Sequence, residues 1–298
     1  MTFSIVIPTK NRPNQLKALF NSLINQKRLP DQIIIIDQSE EDKVDKAGFF
    51  EFTDKFGLGL DYIHNKKING LLEAKNSSIS INKCNYITFL DDDIVLEPNY
   101  LFEIEKALLK SPHMVGISGF IQNHPKQSIL KRIIFKITHF GNFKDNRMNA
   151  IKSININSKT PKKVNVLSGG LSTWKKDIFN IISFDTKNKF HAYEDKEFSM
   201  RYEKNFSESL FIVPQARLNH YHSELNRQNL LDKCKNDVVE VIMLFKKNGD
   251  YNFFGVDLFA LLFGLMINST MLSLKFFNIL FVINFFKGFS KGLKKQIK

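Results

Sequence analysis

The chain has 298 residues, of which 43% are hydrophobic and 24% are charged, and this composition excludes disordered and low-complexity proteins. Its length suits one α/β catalytic domain with an appendage. The formal net charge of +13 indicates anionic partners, such as phosphate-bearing substrates, anionic lipid or nucleic acid.

Short β-rich runs alternate with stretches of helical period along most of the chain. This alternation predicts an α/β fold with a mostly parallel sheet that helices cover on both faces. The predicted strands are residues 4–7, 32–36, 60–64, 86–90, 115–121, 164–167 and 210–213. The predicted helices are residues 12–26, 71–83, 97–110 and 194–204.

Acidic residues follow two of the predicted strands. Asp37 ends a run of four isoleucines, and residues 91–93, which follow the fourth strand, are all aspartates. Ligands of open α/β sheets bind at the carboxyl ends of strands, and three adjacent carboxylates repel one another unless a cation is bound. Hard oxygen ligands suit Mg²⁺ or Mn²⁺, although the triplet alone fits a solvated turn equally well. The turn at 9–12 adds a helix N-terminus that favours phosphate.

Six segments match, in order along the chain, the motifs of a known family. They are residues 4–12 (SIVIPTKNR), Asp37, 70–76 (GLLEAKN), 89–93 (FLDDD), 168–172 (SGGLS) and 193–195 (YED). The series resembles the glycosyltransferases of family 2, which are inverting enzymes of the GT-A fold. The resemblance implies a Rossmann-like, mostly parallel mixed sheet and a nucleotide-sugar donor.

The resemblance also implies roles for individual residues. Asp195 matches the catalytic base, although an acid in the first turn of a helix also complements the helix dipole. The residues implied for the acceptor are Gly169, Gly170, Trp174 and Glu194. The residues implied for the nucleotide sugar are Pro8, Thr9, Asn11, Arg12, Asp37, Lys75, Asp91 and Asp92.

A divalent cation, Mn²⁺ or Mg²⁺, is implied on Asp93 and Asp91, with a histidine as a further ligand. His220 and His222 lie two residues apart in a predicted strand, so their side chains share one face and either can serve. A single histidine is more often structural or exposed than it is a ligand. Residues 38–42 depart from the family pattern, so UDP-, GDP- and TDP-sugars all stay open as donors, with UDP-sugar favoured.

The motifs together predict an inverting glycosyltransferase that moves a sugar to a hydroxyl of a glycan or lipid-linked acceptor in bacterial surface polysaccharide synthesis. Residues 1–225 are the predicted catalytic domain, with a nucleotide-sugar part at 1–121 and an acceptor part at 122–225. The alternative is a catalytically inactive, membrane-attached carbohydrate-binding or scaffold protein. A sugar nucleotidyltransferase is disfavoured because its glycine-rich basic loop is missing. No nucleic-acid partner is expected, because no nucleic-acid-binding module is recognisable.

A basic amphipathic helix is predicted between residues 128 and 139. Its apolar stripe consists of Ile129, Leu130, Ile133, Ile134 and Ile137. We expect this stripe to dock on the protein's own core, and the alternative is a surface that faces a membrane or the acceptor.

The remaining segment, residues 226–298, is predicted to be helical and membrane-associating. Residues 268–270 and Lys275 divide its apolar part into two pieces of about fifteen residues, short of the roughly twenty that a spanning helix needs. Six lysines and one acid follow Tyr251, which favours an anionic membrane surface. We therefore expect an interfacial or re-entrant helical hairpin, with a buried helical pair or a dimer interface as the alternative.

The predicted location is cytoplasmic, peripheral or monotopic at the inner face of the cell membrane. Cys84 and Cys234 show neither zinc-binding spacing nor a framework of bridges, which fits a reducing compartment. The first apolar run, residues 3–7, is too short for a secretory signal, and no basic leader precedes it.

Overall fold

The computed structural model describes residues 1–41, 44, 46–125, 128–221, 229–248 and 255–298. It contains two compact units, which we describe separately. The sheet unit comprises Met1–His124, Asn146–Phe184 and Tyr202–Leu225. The helical unit comprises Pro125–Asp145, Asp185–Arg201 and Asn226–Lys298. The predicted division of residues 1–225 into a nucleotide-sugar part and an acceptor part remains a prediction.

A mixed sheet forms the sheet unit, and within the described residues it has nine strands. They are β1 (Phe3–Thr9), β2 (Gln32–Asp37), β3 (Gly59–His64), β4 (Tyr86–Leu90), β5 (Ile94–Leu96), β6 (Gly116–Ile121), β7 (Lys162–Val164), β8 (Leu171–Lys175) and β9 (Leu210–His220). Their order is β3-β2-β1-β4-β8-β6-β9-β5, with β7 paired to β9. The pairs among β1 to β4 are parallel, so the predicted α/β sheet is confirmed.

Helices flank this sheet. They are α1 (Pro13–Ile24), α2 (Ala47–Phe56), α3 (Leu71–Ile81), α4 (Tyr100–Lys110) and α6 (Arg147–Lys152). The core combines Phe3 and the isoleucines of β1 and β2 with leucines of α1 and α4. All residues of β1, β2 and β4 are buried, which explains why these strands are continuous apolar runs rather than alternating ones.

The register of the first strands brings their carboxyl ends to one edge. Thr9 pairs with Asp37, and Asp37 pairs in turn with His64. Because Val6 pairs with Phe89, the aspartates that follow β4 come level with Thr9. On the other side of β4, β8 runs antiparallel, with Leu171 opposite Leu90.

The helical unit contains α5 (Ile129–Thr138), α8 (Leu230–Asn248), α9 (Val256–Phe276) and α10 (Leu280–Lys294). The helix α7 (Glu194–Asn205) begins in this unit. Gly288 and Gly292 of α10 permit close packing on α8, because a Cβ at Gly288 would lie 2.4 Å from the carbonyl oxygen of Lys235. Lys247 of α8 donates to carboxylates of Asp185 and Glu197.

The structure corrects the prediction that residues 268–270 interrupt the apolar C-terminal segment. The helix α9 runs through them without a break, because small polar side chains can bond within a helix, as Thr270 does by donating to the carbonyl oxygen of Met266 at 3.0 Å. The break falls at Phe277, whose φ of 50° caps α9 in the left-handed conformation. A helical hairpin of α9 and α10 results.

The expected docking of the α5 stripe on the protein's own core is wrong for most of its members. The exposed members are Ile129, Leu130, Ile133 and Ile137. Only Ile134 of the stripe is half-buried. The face that packs on α9 includes Thr138, whose methyl group would lie 2.9 Å from a Cβ at Gly264.

Within the described residues, α9 is the one helix long and apolar enough to cross a membrane, judged by length and composition. Its most apolar window has a mean hydropathy of 1.6, and 22% of that window is buried. Large apolar side chains are also exposed along α10. Both helices of the hairpin therefore expose apolar side chains.

Candidate active site

A cluster of potential metal ligands lies at the edge of the sheet where β4 ends. Asp91, Asp93 and His220 each offer one ligand atom, and these atoms lie within 4.8 Å of one another. His220 Nε2 lies 2.9 Å from Asp93 Oδ1 and 3.9 Å from Asp91 Oδ2. The pairing of β5 with β9 puts His220 opposite Ile94, directly after the aspartates. The predicted ligands Asp91, Asp93 and His220 are therefore brought together.

The middle aspartate of the triplet has different partners. Asp92 accepts hydrogen bonds from Thr9 Oγ1 at 2.7 Å and from Arg12 Nη1 at 2.8 Å. Burial raises the pKa of Asp92 to about 6, and the hydrogen bonds from Thr9 and Arg12 act in the opposite direction. Only 3% of this residue is exposed, so it ties the turn after β1 to the end of β4.

Gly170 lies against the first aspartate. The backbone N–H of Asp91 donates to the carbonyl oxygen of Gly170 at 2.8 Å. A Cβ at Gly170 would lie 1.9 Å from Asp91 Oδ2, far closer than any van der Waals contact. Gly170 therefore leaves room for the Asp91 carboxylate.

Substitution of Gly170 by alanine is expected to displace the Asp91 carboxylate from the cluster. We expect Mn²⁺ affinity to fall by about 10- to 100-fold, the range seen when residues that support metal ligands are changed. Titration calorimetry with Mn²⁺ measures the change. Gly48→Ala is the matched control, because a Cβ at Gly48 meets nothing within 4 Å. Equal affinities for both variants would contradict the expectation.

The turns after β1 and β2 are joined by a small polar network. Asp37 is buried and accepts from the Ser39 backbone N–H at 2.9 Å and from the Tyr62 hydroxyl at 2.6 Å. The N–H of Asn11 donates to Ser39 Oγ at 2.7 Å, and Asn11 has a φ of 55°, which asparagine tolerates better than most residues. Pro8 is buried at the end of β1. Contact of these residues with a nucleotide remains a prediction.

Lys75 is fully buried in α3. Its Nζ lies 5.0 Å from the ring centroid of Phe184 and 5.8 Å from that of Phe89. A buried ammonium group is stabilised by aromatic faces and nearby carboxylates. Lys75 therefore supplies fixed positive charge in the sheet unit.

Trp174, one of the predicted acceptor residues, lies in the core of the sheet unit. It is 2% exposed, and its ring centroid lies 5.4 Å from that of Tyr202, with the two rings tilted by 56°. Its Nε1 donates to Ser172 Oγ at 2.9 Å. Gly116 makes room for this ring, because a Cβ there would approach it to 2.5 Å. Glu194 is buried at the start of α7, and its contact with an acceptor remains a prediction, as does that of Gly169.

Asp195 lies in the helical unit, in the first turn of α7. It is half-buried, and its Oδ1 accepts from the backbone N–H of Lys196 at 2.7 Å. This position fits both the predicted base and the alternative of a charge that complements the helix dipole. His222 lies outside the described residues.

The segment that leads to Asp195 is held by a glutamate of α8 that sequence reasoning missed. Glu240 Oε2 accepts from the backbone N–H groups of His191, Ala192 and Tyr193 at 3.1, 2.8 and 3.2 Å. Burial raises the pKa of Glu240, and these three donors oppose the shift. A single acid within the apolar run of residues 238–245 was the available signal, since buried acids require partners.

Glu240→Ala is expected to destabilise the protein by about 2–3 kcal/mol, because three buried N–H groups lose their acceptor. Glu240→Gln retains an acceptor oxygen and should stay within about 1 kcal/mol of the native protein. The pKa of Glu240 is raised in the folded protein, so the free energy of unfolding of the native protein falls as pH rises through that raised pKa. Glutamine does not ionise, so the stability of Glu240→Gln should rise relative to that of the native protein over the same pH interval. Urea unfolding at several pH values tests this. Equal losses in the two variants would refute it.

Comparison with known proteins identifies the family of the chain. The family model described as "Glycosyl transferase family 2" matches residues 4–180, more than half of the 298 residues. The chain belongs to glycosyl transferase family 2. The resemblance inferred from the motifs is therefore confirmed.

A curated relative is an uncharacterized glycosyltransferase of Haemophilus influenzae, 25% identical over 111 residues. The match covers 37% of this chain and 36% of the relative, so it spans about a third of that protein's length.

Solved structures share the fold of this family 2 protein. A mannosyltransferase from Pyrobaculum calidifontis, in complex with GDP-Man and Mn²⁺, has a TM-score of 0.61 and 10% identity, with 99% of this chain and 88% of that chain covered. GalNAc-T7 with UDP, GalNAc and Mn²⁺ has a TM-score of 0.59 and 17% identity, over 84% and 49% of the two chains. TarS 1–349 of S. aureus has a TM-score of 0.53 and 13% identity, over 99% and 92%. The GT-A fold is thereby confirmed.

The cluster of Asp91, Asp93 and His220 in this family 2 chain fits a divalent cation. Two carboxylates and an imidazole are ligands of Mn²⁺, and the carboxylates also suit Mg²⁺. The contact between His220 Nε2 and Asp93 Oδ1 brings a ligand atom of each side chain to one point. These residues fit the implied metal.

Proposed function

We propose that this family 2 protein transfers a sugar from a nucleotide diphosphate sugar, with UDP-sugar favoured, to a hydroxyl of a glycan or lipid-linked acceptor. The observation that carries the proposal is the cluster of Asp91, Asp93 and His220 at the carboxyl edge of the sheet. This is the edge at which ligands of such sheets bind. The implied role is synthesis of a bacterial surface polysaccharide.

The residues of the sheet unit bind and orient the donor in this proposal. The end of β1 and the turn after it lie against the nucleotide through Pro8, Thr9 and Asn11. Arg12 and Lys75 contribute positive charge near the diphosphate. Asp37, held by Ser39 and Tyr62, contacts the base. Asp91, Asp93 and His220 hold Mn²⁺ or Mg²⁺, which when bound stabilises the negative charge on the departing nucleoside diphosphate.

Asp195 acts as the general base. It removes the proton of the acceptor hydroxyl, and the oxygen forms a bond to the anomeric carbon from the face opposite the donor phosphate. The bond between that carbon and the phosphate oxygen breaks, and the nucleoside diphosphate leaves with the electron pair. The configuration of the anomeric carbon therefore inverts, and no covalent bond to the protein forms.

A panel of UDP-, GDP- and TDP-sugars with Mn²⁺, membrane lipids and acceptor glycans tests the proposal. We expect nucleotide release from one donor class and a product whose anomeric configuration, read by NMR, is opposite to that of the donor. Retention of configuration would refute the mechanism. If no donor in the panel releases its nucleotide, the catalytically inactive, carbohydrate-binding alternative is favoured.

We further propose that the protein binds the anionic inner face of the cell membrane through α9 and α10. Exposed apolar residues of both helices and the lysines that follow α9 support this location. Vesicles of phosphatidylcholine with and without phosphatidylglycerol test it by co-sedimentation. We expect binding to the anionic vesicles that weakens with salt, and equal recovery in the supernatant for both compositions would refute it.

A further inference from the structure

A cavity of about 250 Å³ lies between α5 and α9 within the helical unit. Its apolar lining comes from Ile134, Phe135, Leu261, Leu265 and Met271. None of the lining residues is acidic. Sites for whole small molecules usually measure about 300–1,000 Å³, so this cavity suits a slender apolar segment rather than an oligosaccharide.

Both helices also carry apolar side chains that do not line the cavity. Ile133 and Ile137 of α5 are exposed, and so are Phe259 and Phe263 of α9. With 3.6 residues per turn, Phe259 and Phe263 lie on the face of α9 that turns away from the lining residues Leu261 and Leu265. The exposed phenylalanines of α9 are therefore not part of the cavity.

Positive charge accompanies the apolar lining. Lys131 lines the cavity, Arg132 and Lys136 are exposed on the same helix, and α5 has no acidic residue. An ammonium group beside an apolar slot complements a molecule that joins an anionic head to a hydrocarbon tail. The other polar residues of the lining are Thr138, His139, Tyr193 and Asn268, and none of them is an acid.

The cavity also touches the segment of the candidate base. Tyr193 lines it and lies two residues before Asp195. The backbone N–H of Tyr193 donates to Glu240 of α8 at 3.2 Å, so this side of the cavity is tied to α8. We propose that the cavity binds the hydrocarbon chain of a phosphate-bearing lipid acceptor, with Lys131 beside its phosphate. The acceptor role of this lipid rests on the proposed function, whereas the binding rests on the cavity alone.

Binding is tested with the full-length chain by titration calorimetry, with dodecyl phosphate below its micelle-forming concentration. We expect Leu265→Trp, which fills the cavity from α9, to weaken binding by about tenfold or more, equivalent to about 1.4 kcal/mol. Phe263→Trp is the matched control, because it adds the same side chain to an exposed position of the same helix. Its affinity should stay within about twofold of native.

The head group is tested separately. Lys131→Gln should weaken dodecyl phosphate binding by about fivefold and leave the binding of dodecyl maltoside unchanged, whereas Lys136→Gln, outside the lining, should affect neither. Equal affinity of the native protein for dodecyl phosphate and dodecyl maltoside would overturn the assignment of a phosphate lipid in favour of bulk membrane contact. No binding of either, or binding insensitive to Leu265→Trp, would overturn the cavity as the site.

The same experiment separates this inference from the proposed function. Asp195→Asn should bind dodecyl phosphate as the native protein does. Transfer to a water-soluble acceptor without lipid binding would overturn the inference and leave the function intact. Lipid binding without sugar transfer from any donor in the panel would overturn the proposed function and leave the lipid-binding cavity intact.

Discussion

Asp195→Asn is expected to lower kcat by about 10²- to 10⁴-fold, the usual contribution of a positioned general base. Asparagine keeps the shape of the side chain and can still accept from the Lys196 N–H, as Asp195 does, but it cannot take a proton from the acceptor. The KM for the donor should change little, since the residues proposed to bind the donor are other ones. Steady-state kinetics with the donor that the panel identifies measures both quantities.

The alternative role of Asp195, a charge at a helix N-terminus, predicts a different result. Loss of such a charge costs about 0.3–1 kcal/mol of stability and leaves turnover unchanged. Asp232→Asn is the matched control, because Asp232 is also an acid in the first turn of a helix in the helical unit. If both variants lose the same small amount of stability and neither loses activity, Asp195 is not the base.

Asp93→Asn is expected to weaken Mn²⁺ binding by at least about 100-fold, because a direct ligand contributes more than the supporting residues whose loss costs 10- to 100-fold. His220→Ala should weaken it less, since two carboxylates remain. Metal titration followed by electron paramagnetic resonance of free Mn²⁺ reads the affinity without a substrate. Activity at saturating donor should fall in parallel and recover in part at high Mn²⁺.

Asp177→Asn is the control for Asp93→Asn, because Asp177 is a well-exposed carboxylate of the sheet unit whose partner is Lys175. Its substitution should leave metal affinity unchanged. Unaltered Mn²⁺ affinity in Asp93→Asn and in His220→Ala would remove the cluster as the metal site. Loss of activity with intact metal binding would instead point to contact with the donor sugar.

The edge of the sheet that carries the candidate site could be predicted from the sequence for a simple reason. Strands buried on both faces leave continuous apolar runs, and the first polar residue after each run marks its carboxyl end. Asp37 and residues 91–93 were identified in this way, and parallel pairing alone then brought them to one edge. His220 reaches the aspartates because β9 pairs with β5. The two-residue spacing of His220 and His222 indicates that they share one face of a strand, but it does not identify the neighbouring strand.

The features that the sequence did not reveal depend on contacts between distant segments. The role of Glu240 arises from three backbone N–H groups nearly fifty positions away, and backbone donors carry no sequence signal. The helix α9 continues through residues 268–270 because short polar side chains can form hydrogen bonds within a helix. The same side chains can also cap a helix end, so the sequence alone does not distinguish the two cases. The exposure of the α5 stripe shows that an amphipathic pattern identifies an apolar face but not what covers it.

The separation of the candidate metal ligands along the chain has a consequence for biosynthesis. Asp93 and His220 are 127 positions apart, and β8 and β6 lie between β4 and β9 in the sheet. Contacts that close such long loops form late in folding. A nascent chain on the ribosome therefore cannot assemble this site until its last strand has been synthesised, and premature termination before β9 yields a product that lacks the histidine ligand altogether.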